Sequence, residues 1–150
     1  MKVEIHYVNS LEEECAVLEI CENHPGIIKL QEIIQKGTYQ TLTIPCFLRE
    51  QIYSISCEHI LYFETIQDKL FVHTGSKMYE AKKRLYELEE ILSEHFARIS
   101  KSVIINLEHV EYYSPLANGL MKATFYNGEE TYISRKYLRL LRAKIGGKKL

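Results

Sequence analysis

The feature that most constrains the fold is a succession of short β-type segments between Leu42 and Ile133. Each segment is rich in β-branched and aromatic residues and is bounded by polar or glycine-containing turns, which is the pattern of strands rather than helices. The predicted strands are 42–48, 51–56, 60–66, 69–74, 77–81, 96–99, 102–106, 109–115, 119–126 and 130–133. Strands this short, joined by tight turns, predict a mainly β fold of small antiparallel sheets.

Turn residues and two helical segments complete this pattern. The predicted turns are Gln67-Asp68, Gly75-Ser76, Asn118-Gly119 and Asn127-Gly128. The two Asn-Gly pairs are the strongest hairpin signals, because both residues tolerate the left-handed backbone that a two-residue turn requires. Leucines and isoleucines recur at helical spacing in residues 83–94 and 137–145, which predicts one short amphipathic helix in each.

Residues 1–41 are predicted to form a β-β-α extension that precedes a domain of residues 42–150. Segments 3–8 and 16–20 have strand character, and Ile27, Leu30 and Ile34 form a helical stripe that Gly37 is placed to end. So short a unit cannot hold a firm core alone. We therefore expect it to pack on the rest of the chain or on a second copy, in a dimerisation or regulatory role. No internal repeat is evident in the sequence.

Charge is distributed unevenly along the chain. The net charge is -1, but residues 1–50 hold four basic and eight acidic side chains, whereas the part from Arg98 onward holds ten basic and four acidic. A polyanion would be attracted to the carboxyl-terminal part and repelled from the amino-terminal part. A solvated basic face is the alternative interpretation.

Two segments place cations and hydroxyls directly beside β-branched runs. The first runs from Phe96 to Leu107 and contains Arg98, Ser100, Lys101 and Ser102. The second contains Ser134, Arg135, Lys136 and Tyr137 after a predicted strand. Loops between buried strands would present these side chains outward, where they suit contacts with phosphates and bases.

These segments resemble the signature of the LytTR-type DNA-binding domain of bacterial transcription regulators. The signature reads phenylalanine, any residue, arginine, an apolar residue, histidine, any residue, serine, and an apolar run ending in asparagine; a serine-arginine pair follows further along. The matching residues are Phe96, Arg98, Ile99, Ser102, Ile104, Ile105, Asn106 and Ser134-Arg135, with further landmarks at 60–64 and 85–89. The resemblance covers roughly residues 47–145, and Ser100 stands where the family has histidine.

The resemblance implies a LytTR-like fold whose loops enter the major groove of a direct-repeat promoter site, with two protein copies bound. Arg135 and Lys101 occupy the family's exposed loop positions and are the first candidates for groove contacts, and Lys69 corresponds to a third contact loop. Ser100, Ser102, Ser134, Lys136 and Tyr137 are candidate phosphate contacts. Arg98 is a DNA-contact candidate that can instead serve the fold, as can Asn106 by satisfying backbone groups at a strand end. The alternative function is a protein-interaction module or antiregulator of the same fold without DNA affinity.

Other function classes find little support in the sequence. There is no nucleophile elbow, phosphate-binding loop, dinucleotide fingerprint or zinc-protease motif, so we expect no catalysis, no small-molecule substrate, no metal and no cofactor. The wide spacing of the cysteines predicts reduced, structural thiols. The tyrosines of strands, such as Tyr112, Tyr113 and Tyr126, are predicted to pack on the core rather than to stack on bases.

Regulation and location follow from what the sequence lacks. No apolar run is long enough to span a membrane and no signal peptide is evident, so the chain is expected in the cytoplasm. Asp68 is the first aspartate. A phosphoreceiver domain, which many family members carry, is therefore not expected, and aspartyl phosphorylation would not control this chain. The family includes stand-alone regulators governed by a membrane partner.

Overall fold

The computed structural model describes residues 4–10, 13, 15–21, 24–35 and 42–146. The chain divides into two units, Met1–Gln40 and Thr41–Leu150.

In the first unit, helix α1 spans Ile27–Gln35, as predicted. The two strands predicted before it are wrong: residues 4–8 and 16–20 have no regular structure. Alternation of apolar and polar residues makes a segment compatible with a strand, but a strand also needs a hydrogen-bonded neighbour, and an isolated pair is marginal in water. Gly37, predicted to end the helix, lies outside the described residues.

The second unit contains ten strands and two helices in its described part. The strands are β1 Thr43–Leu48, β2 Gln51–Ser56, β3 Ile60–Ile66, β4 Lys69–Thr74, β5 Met78–Ala81, β6 Phe96–Arg98, β7 Val103–Asn106, β8 Val110–Pro115, β9 Met121–Phe125 and β10 Glu130–Ile133, and the helices are α2 Leu85–Ile91 and α3 Arg135–Lys144. Each coincides with a predicted segment to within three residues at either end.

The strands form two antiparallel sheets. The larger has seven strands in the order β2-β1-β5-β4-β3-β7-β6, and the smaller has three in the order β10-β9-β8. The predicted mainly β, antiparallel class is thus confirmed. Both Asn-Gly turns close hairpins, with Asn118 at φ 67° and Gly128 at φ 88°. The β1–β2 turn also has two left-handed residues, Arg49 at φ 50° and Glu50 at φ 65°, and this turn carries no glycine or asparagine to signal it.

Two hydrophobic cores lie on opposite faces of the larger sheet. The first packs β1, β3, β4, β5, β6 and β7 against α2, with Phe63 and Leu88 fully buried. The second packs β3, β6 and β7 against the smaller sheet and α3, with Phe125 and Leu141 fully buried. Strands β3, β6 and β7 contribute to both cores because successive side chains of a strand point to opposite faces.

A short sequence repeat occurs in the turn before β3 and in the turn before β8, so the expectation that the chain has no internal repeat is wrong. Residues 56–60 read Ser-Cys-Glu-His-Ile and residues 106–110 read Asn-Leu-Glu-His-Val. In each, the first side chain accepts a hydrogen bond from the backbone N–H of the glutamate, a single helical turn follows, and the next strand begins with a register shift. The two turns are therefore structural equivalents within one domain.

Asn106 connects these two turns. Its side chain is buried, and its Nδ2 donates to the carbonyl of Ile60 at 3.0 Å and to that of Cys57 at 3.5 Å. His109 Nε2 also lies 2.5 Å from the carbonyl of Glu58. The role of Asn106 in satisfying backbone groups at a strand end is confirmed.

The cysteines divide into two kinds. Cys46 and Cys57 lie in the first core, where burial raises the pKa of each thiol to about 11, so both remain protonated near neutral pH. Cys15 and Cys21 are exposed, so the predicted structural role is wrong for them. Among residues 4–10, 13, 15–21 and 24–35, no side chain is buried. Within the described residues, no helix combines the length and apolar character that a membrane span requires.

Candidate nucleic-acid interface

Three of the predicted contact segments meet at one edge of the second unit. The backbone N–H of Thr65, near the end of β3, donates to the carbonyl of Ser102 at 2.8 Å. The N–H of Ser134 donates to the carbonyl of Ile99 at 2.9 Å. These two bonds join the β3–β4 turn, the β6–β7 loop and the β10–α3 junction side by side. We call this surface the loop edge and define it as residues 65–69, 99–102, 116–120 and 134–137.

The β6–β7 loop, residues 99–102, is anchored to the second core. Ile99 is fully buried in the second core. Ser100 and Ser102 are half-buried; the Ser102 N–H donates to Ser100 Oγ at 3.2 Å, and the two hydroxyl oxygens lie 3.4 Å apart. Lys101 is exposed, and its ammonium has no partner among the described residues. It is the side chain of this loop that is freest to meet an anion.

Arg98, at the end of β6, points into the domain rather than away from it. Its Nε donates to the carbonyl of Ser100 at 2.9 Å and its Nη2 to that of Lys101 at 2.5 Å. Its Nη1 meets Glu89 Oε2 of α2 at 2.8 Å, and only 21% of the side chain is exposed. All three guanidinium nitrogens thus make hydrogen bonds within the chain. These bonds hold the β6–β7 loop against β6 and α2.

Arg135 opens helix α3 and lies over the β8–β9 turn. Its Nη2 donates to the carbonyl of Asn118. A Cβ added to Gly119 would lie 3.4 Å from Arg135 Nε, so the guanidinium packs closely on this turn. Residues 116–120, which were predicted only to form a hairpin turn, therefore belong to the loop edge.

The remaining predicted contact residues differ in their exposure and in their partners within the chain. Lys136 is exposed, with its ammonium 5.7 Å from the ring centre of the half-buried Tyr137. Lys69 Nζ lies 3.4 Å from Glu80 Oε2, with 61% of the lysine side chain exposed. Such an exposed pair is weak, so Lys69 remains able to exchange this carboxylate for a phosphate.

The tyrosine prediction holds only in part. Tyr113 is half-buried, and burial raises its pKa to about 12. Tyr112 and Tyr126 are exposed, so the predicted core packing is wrong for these two. Tyr112 lies on β8 and Tyr126 in the turn after β9, and neither belongs to one of the two cores. Neither belongs to the loop edge.

A groove of the second unit lies away from the loop edge. Its volume is about 520 Å³, and its walls include His59, Tyr79, His109 and Tyr126. None of the predicted contact residues lines it. No cluster of three or more His, Cys, Asp or Glu side chains suited to a metal ion occurs within residues 4–10, 13, 15–21, 24–35 and 42–146.

A mainly β domain that collects lysine, arginine and hydroxyl side chains on one edge has the character of a nucleic-acid-binding domain. The family model of the LytTr DNA-binding domain matches residues 50–146. The chain belongs to this family.

Individual relatives agree with this assignment. Uncharacterized HTH-type transcriptional regulators from two strains of Staphylococcus aureus are 32% and 31% identical over 103 residues, which is 69% of this chain and 70% of each relative. Among solved structures, a LytTr DNA-binding domain from Bacillus cereus superposes with a TM-score of 0.66 at 21% identity and covers 69% of this chain and 96% of that one. The last comparison concerns the fold alone.

Proposed function

We propose that this protein is a sequence-specific transcription regulator that binds double-stranded DNA through the loop edge. The observation that carries the proposal is the convergence of Lys69, Lys101 and Arg135 on one surface through the backbone bonds of the β6–β7 loop. The family match and the regulator names of the relatives support the same class.

Loops rather than a helix are the proposed reading elements. A helix-turn-helix motif needs two consecutive helices, whereas α2 and α3 are separated by five strands. We propose that the β6–β7 loop and the β10–α3 junction enter the major groove, where Arg135 can meet a guanine edge and Lys101 a guanine or a phosphate.

Several finer features belong to the same proposal. Two copies would bind a direct-repeat promoter site, and the extension of residues 1–41 would serve packing, dimerisation or regulation. A membrane protein is a proposed regulatory partner of this otherwise cytoplasmic chain. We further propose that activity does not depend on aspartyl phosphorylation.

The proposal is tested by duplex DNA binding as a function of salt. Logarithmic affinity should fall linearly with logarithmic salt concentration, by about 0.9 for each phosphate neutralised. Lys101→Ala should reduce this slope by about one. Lys77→Ala is the matched control, because Lys77 is an exposed lysine in the β4–β5 turn, outside the loop edge. If the wild-type chain bound DNA weakly and its affinity did not depend on salt concentration, the result would instead support a protein-interaction module without DNA affinity.

Treatment with acetyl phosphate should leave both the intact mass and the DNA affinity unchanged. Asp68 is the only aspartate, and it lies in the β3–β4 turn with φ 64° rather than in a cluster of acidic side chains suited to a metal. Mass spectrometry before and after treatment measures the outcome. A stable phosphoryl adduct accompanied by tighter binding would contradict independence from phosphorylation.

A further inference from the structure

The β6–β7 loop has an unusual arrangement of backbone carbonyls. Four consecutive carbonyl oxygens each accept a hydrogen bond from a donor elsewhere in the domain. The pairs are Ile99 O with Ser134 N–H, Ser100 O with Arg98 Nε, Lys101 O with Arg98 Nη2, and Ser102 O with Thr65 N–H. The whole loop is therefore held with its carbonyls toward the protein.

The opposite side of the same peptide units carries their N–H groups. In a trans peptide the C=O and N–H bonds point in opposite directions, and no peptide bond of the described residues is cis. The N–H groups of Ser100 and Lys101 make no hydrogen bond within those residues, and that of Ser102 is directed to the Ser100 hydroxyl. The outer rim of the loop thus presents hydrogen-bond donors and a lysine, with the negative ends of the peptide dipoles turned away.

We propose that Arg98 is a positioning residue that holds this loop with its carbonyls inward, so that the N–H groups of Ser100 and Lys101 receive a phosphate of the DNA backbone. This inference rests on the function proposed above. Carbonyl oxygens facing the duplex would repel its phosphates, whereas free amide N–H groups bind them. Arg98 would thus act on DNA without touching it.

The geometry explains why an arginine is required here. The guanidinium is a rigid planar fork whose nitrogens serve several acceptors at once. Glu89 on α2 fixes the orientation of the fork by pairing with Nη1, leaving Nε and Nη2 directed at the two carbonyls. A lysine ammonium is a single point on a flexible stem and cannot reproduce this set of contacts.

The test compares Arg98→Lys with Arg98→Gln in the full chain, using cognate and random duplexes over a range of salt. We expect both variants to lose cognate affinity by about tenfold or more, the equivalent of one charge-assisted hydrogen bond. Both should keep the wild-type salt slope, because Arg98 neutralises no phosphate. Amide resonances of residues 99–102 should shift in both. Arg142→Gln removes the same charge from an exposed position of α3 and should leave those resonances and the cognate preference unchanged.

The DNA affinity of Arg98→Lys decides between a positioning role and a direct phosphate contact. If Arg98 contacted a phosphate itself, Arg98→Lys would largely restore binding while Arg98→Gln lowered the salt slope by about one, and the inference would be overturned. Wild-type affinity in Arg98→Lys would also overturn it. If the wild-type chain bound no DNA, the proposed function would be wrong and this inference would fall with it. If the wild-type chain bound DNA and Arg98→Lys bound it equally well, only this inference would be wrong.

A second pair of variants examines the loop from its other side, should the Arg98 variants fail to fold. Ser134 has φ −75°, which proline adopts readily, and its hydroxyl makes no helix-capping bond. Ser134→Pro removes the N–H that holds the carbonyl of Ile99, whereas Ser134→Ala removes only the hydroxyl. We expect Ser134→Pro to bind cognate DNA several-fold more weakly than Ser134→Ala. Equal affinities would contradict the importance of the inward carbonyls.

Discussion

Replacing Asn106 by serine is expected to lower the free energy of unfolding by about 2 kcal/mol, because the buried carbonyl of Ile60 loses its hydrogen-bond donor. Serine preserves the local cap, as Ser56 demonstrates in the equivalent turn of the repeat. Asn106→Ala removes the cap as well and should cost about 1 kcal/mol more. Chemical denaturation followed through the β-sheet signal measures both values.

The repeat itself supplies the matched control for this prediction. Ser56→Ala removes only the exposed cap to Glu58 N–H at 3.4 Å, so its effect should be well below that of Asn106→Ser. If Asn106→Ser were as stable as the wild type, the bonds between the two turns would contribute nothing. The importance assigned to Asn106 would then be wrong.

Arg135→Ala is expected to weaken binding to the cognate site by about 1 to 3 kcal/mol and binding to random DNA by less, relaxing preference at one base position. The guanidinium has the planar fork for two parallel bonds to a guanine, and it sits at the exposed start of α3. Arg135→Lys should recover the general affinity but not the base preference. Binding titrations against a set of single-base variants of the site measure this difference.

Arg139 is the matched control for Arg135. It is an exposed arginine one turn further along α3, outside the loop edge, so Arg139→Ala removes the same charge without the proposed contact. Its effect should be small and alike on both duplexes. Equal losses on cognate and random DNA in Arg135→Ala would identify Arg135 as a phosphate contact instead.

Local patterns sufficed to predict the strands, helices and hairpins of residues 42–146, because each depends on residues close together in the sequence. They failed where a neighbour decides the outcome. The segments 4–8 and 16–20 have strand character without a strand partner. The Arg49-Glu50 turn adopts left-handed geometry that its residue types do not signal.

The candidate site was predictable as a set of residues but not as an arrangement. The resemblance located Lys101 and Arg135, yet nothing in their spacing indicates that the Ser134 N–H reaches the carbonyl of Ile99. The same limit applies to Arg98, which was included among DNA contacts although its nitrogens face Glu89 and the loop carbonyls. Contacts between distant segments form only when the sheets pack, so local sequence patterns do not indicate them.

Because β3, β6 and β7 contribute to both cores, the two cores should not unfold independently. Successive side chains on β3, Ile60 and Leu61, belong to different cores, so loosening either core displaces a strand that the other core needs. We therefore expect helix α2 and the smaller sheet to unfold in one cooperative transition. The loop edge draws on segments from residue 65 to residue 137, so we expect it to be lost in the same transition.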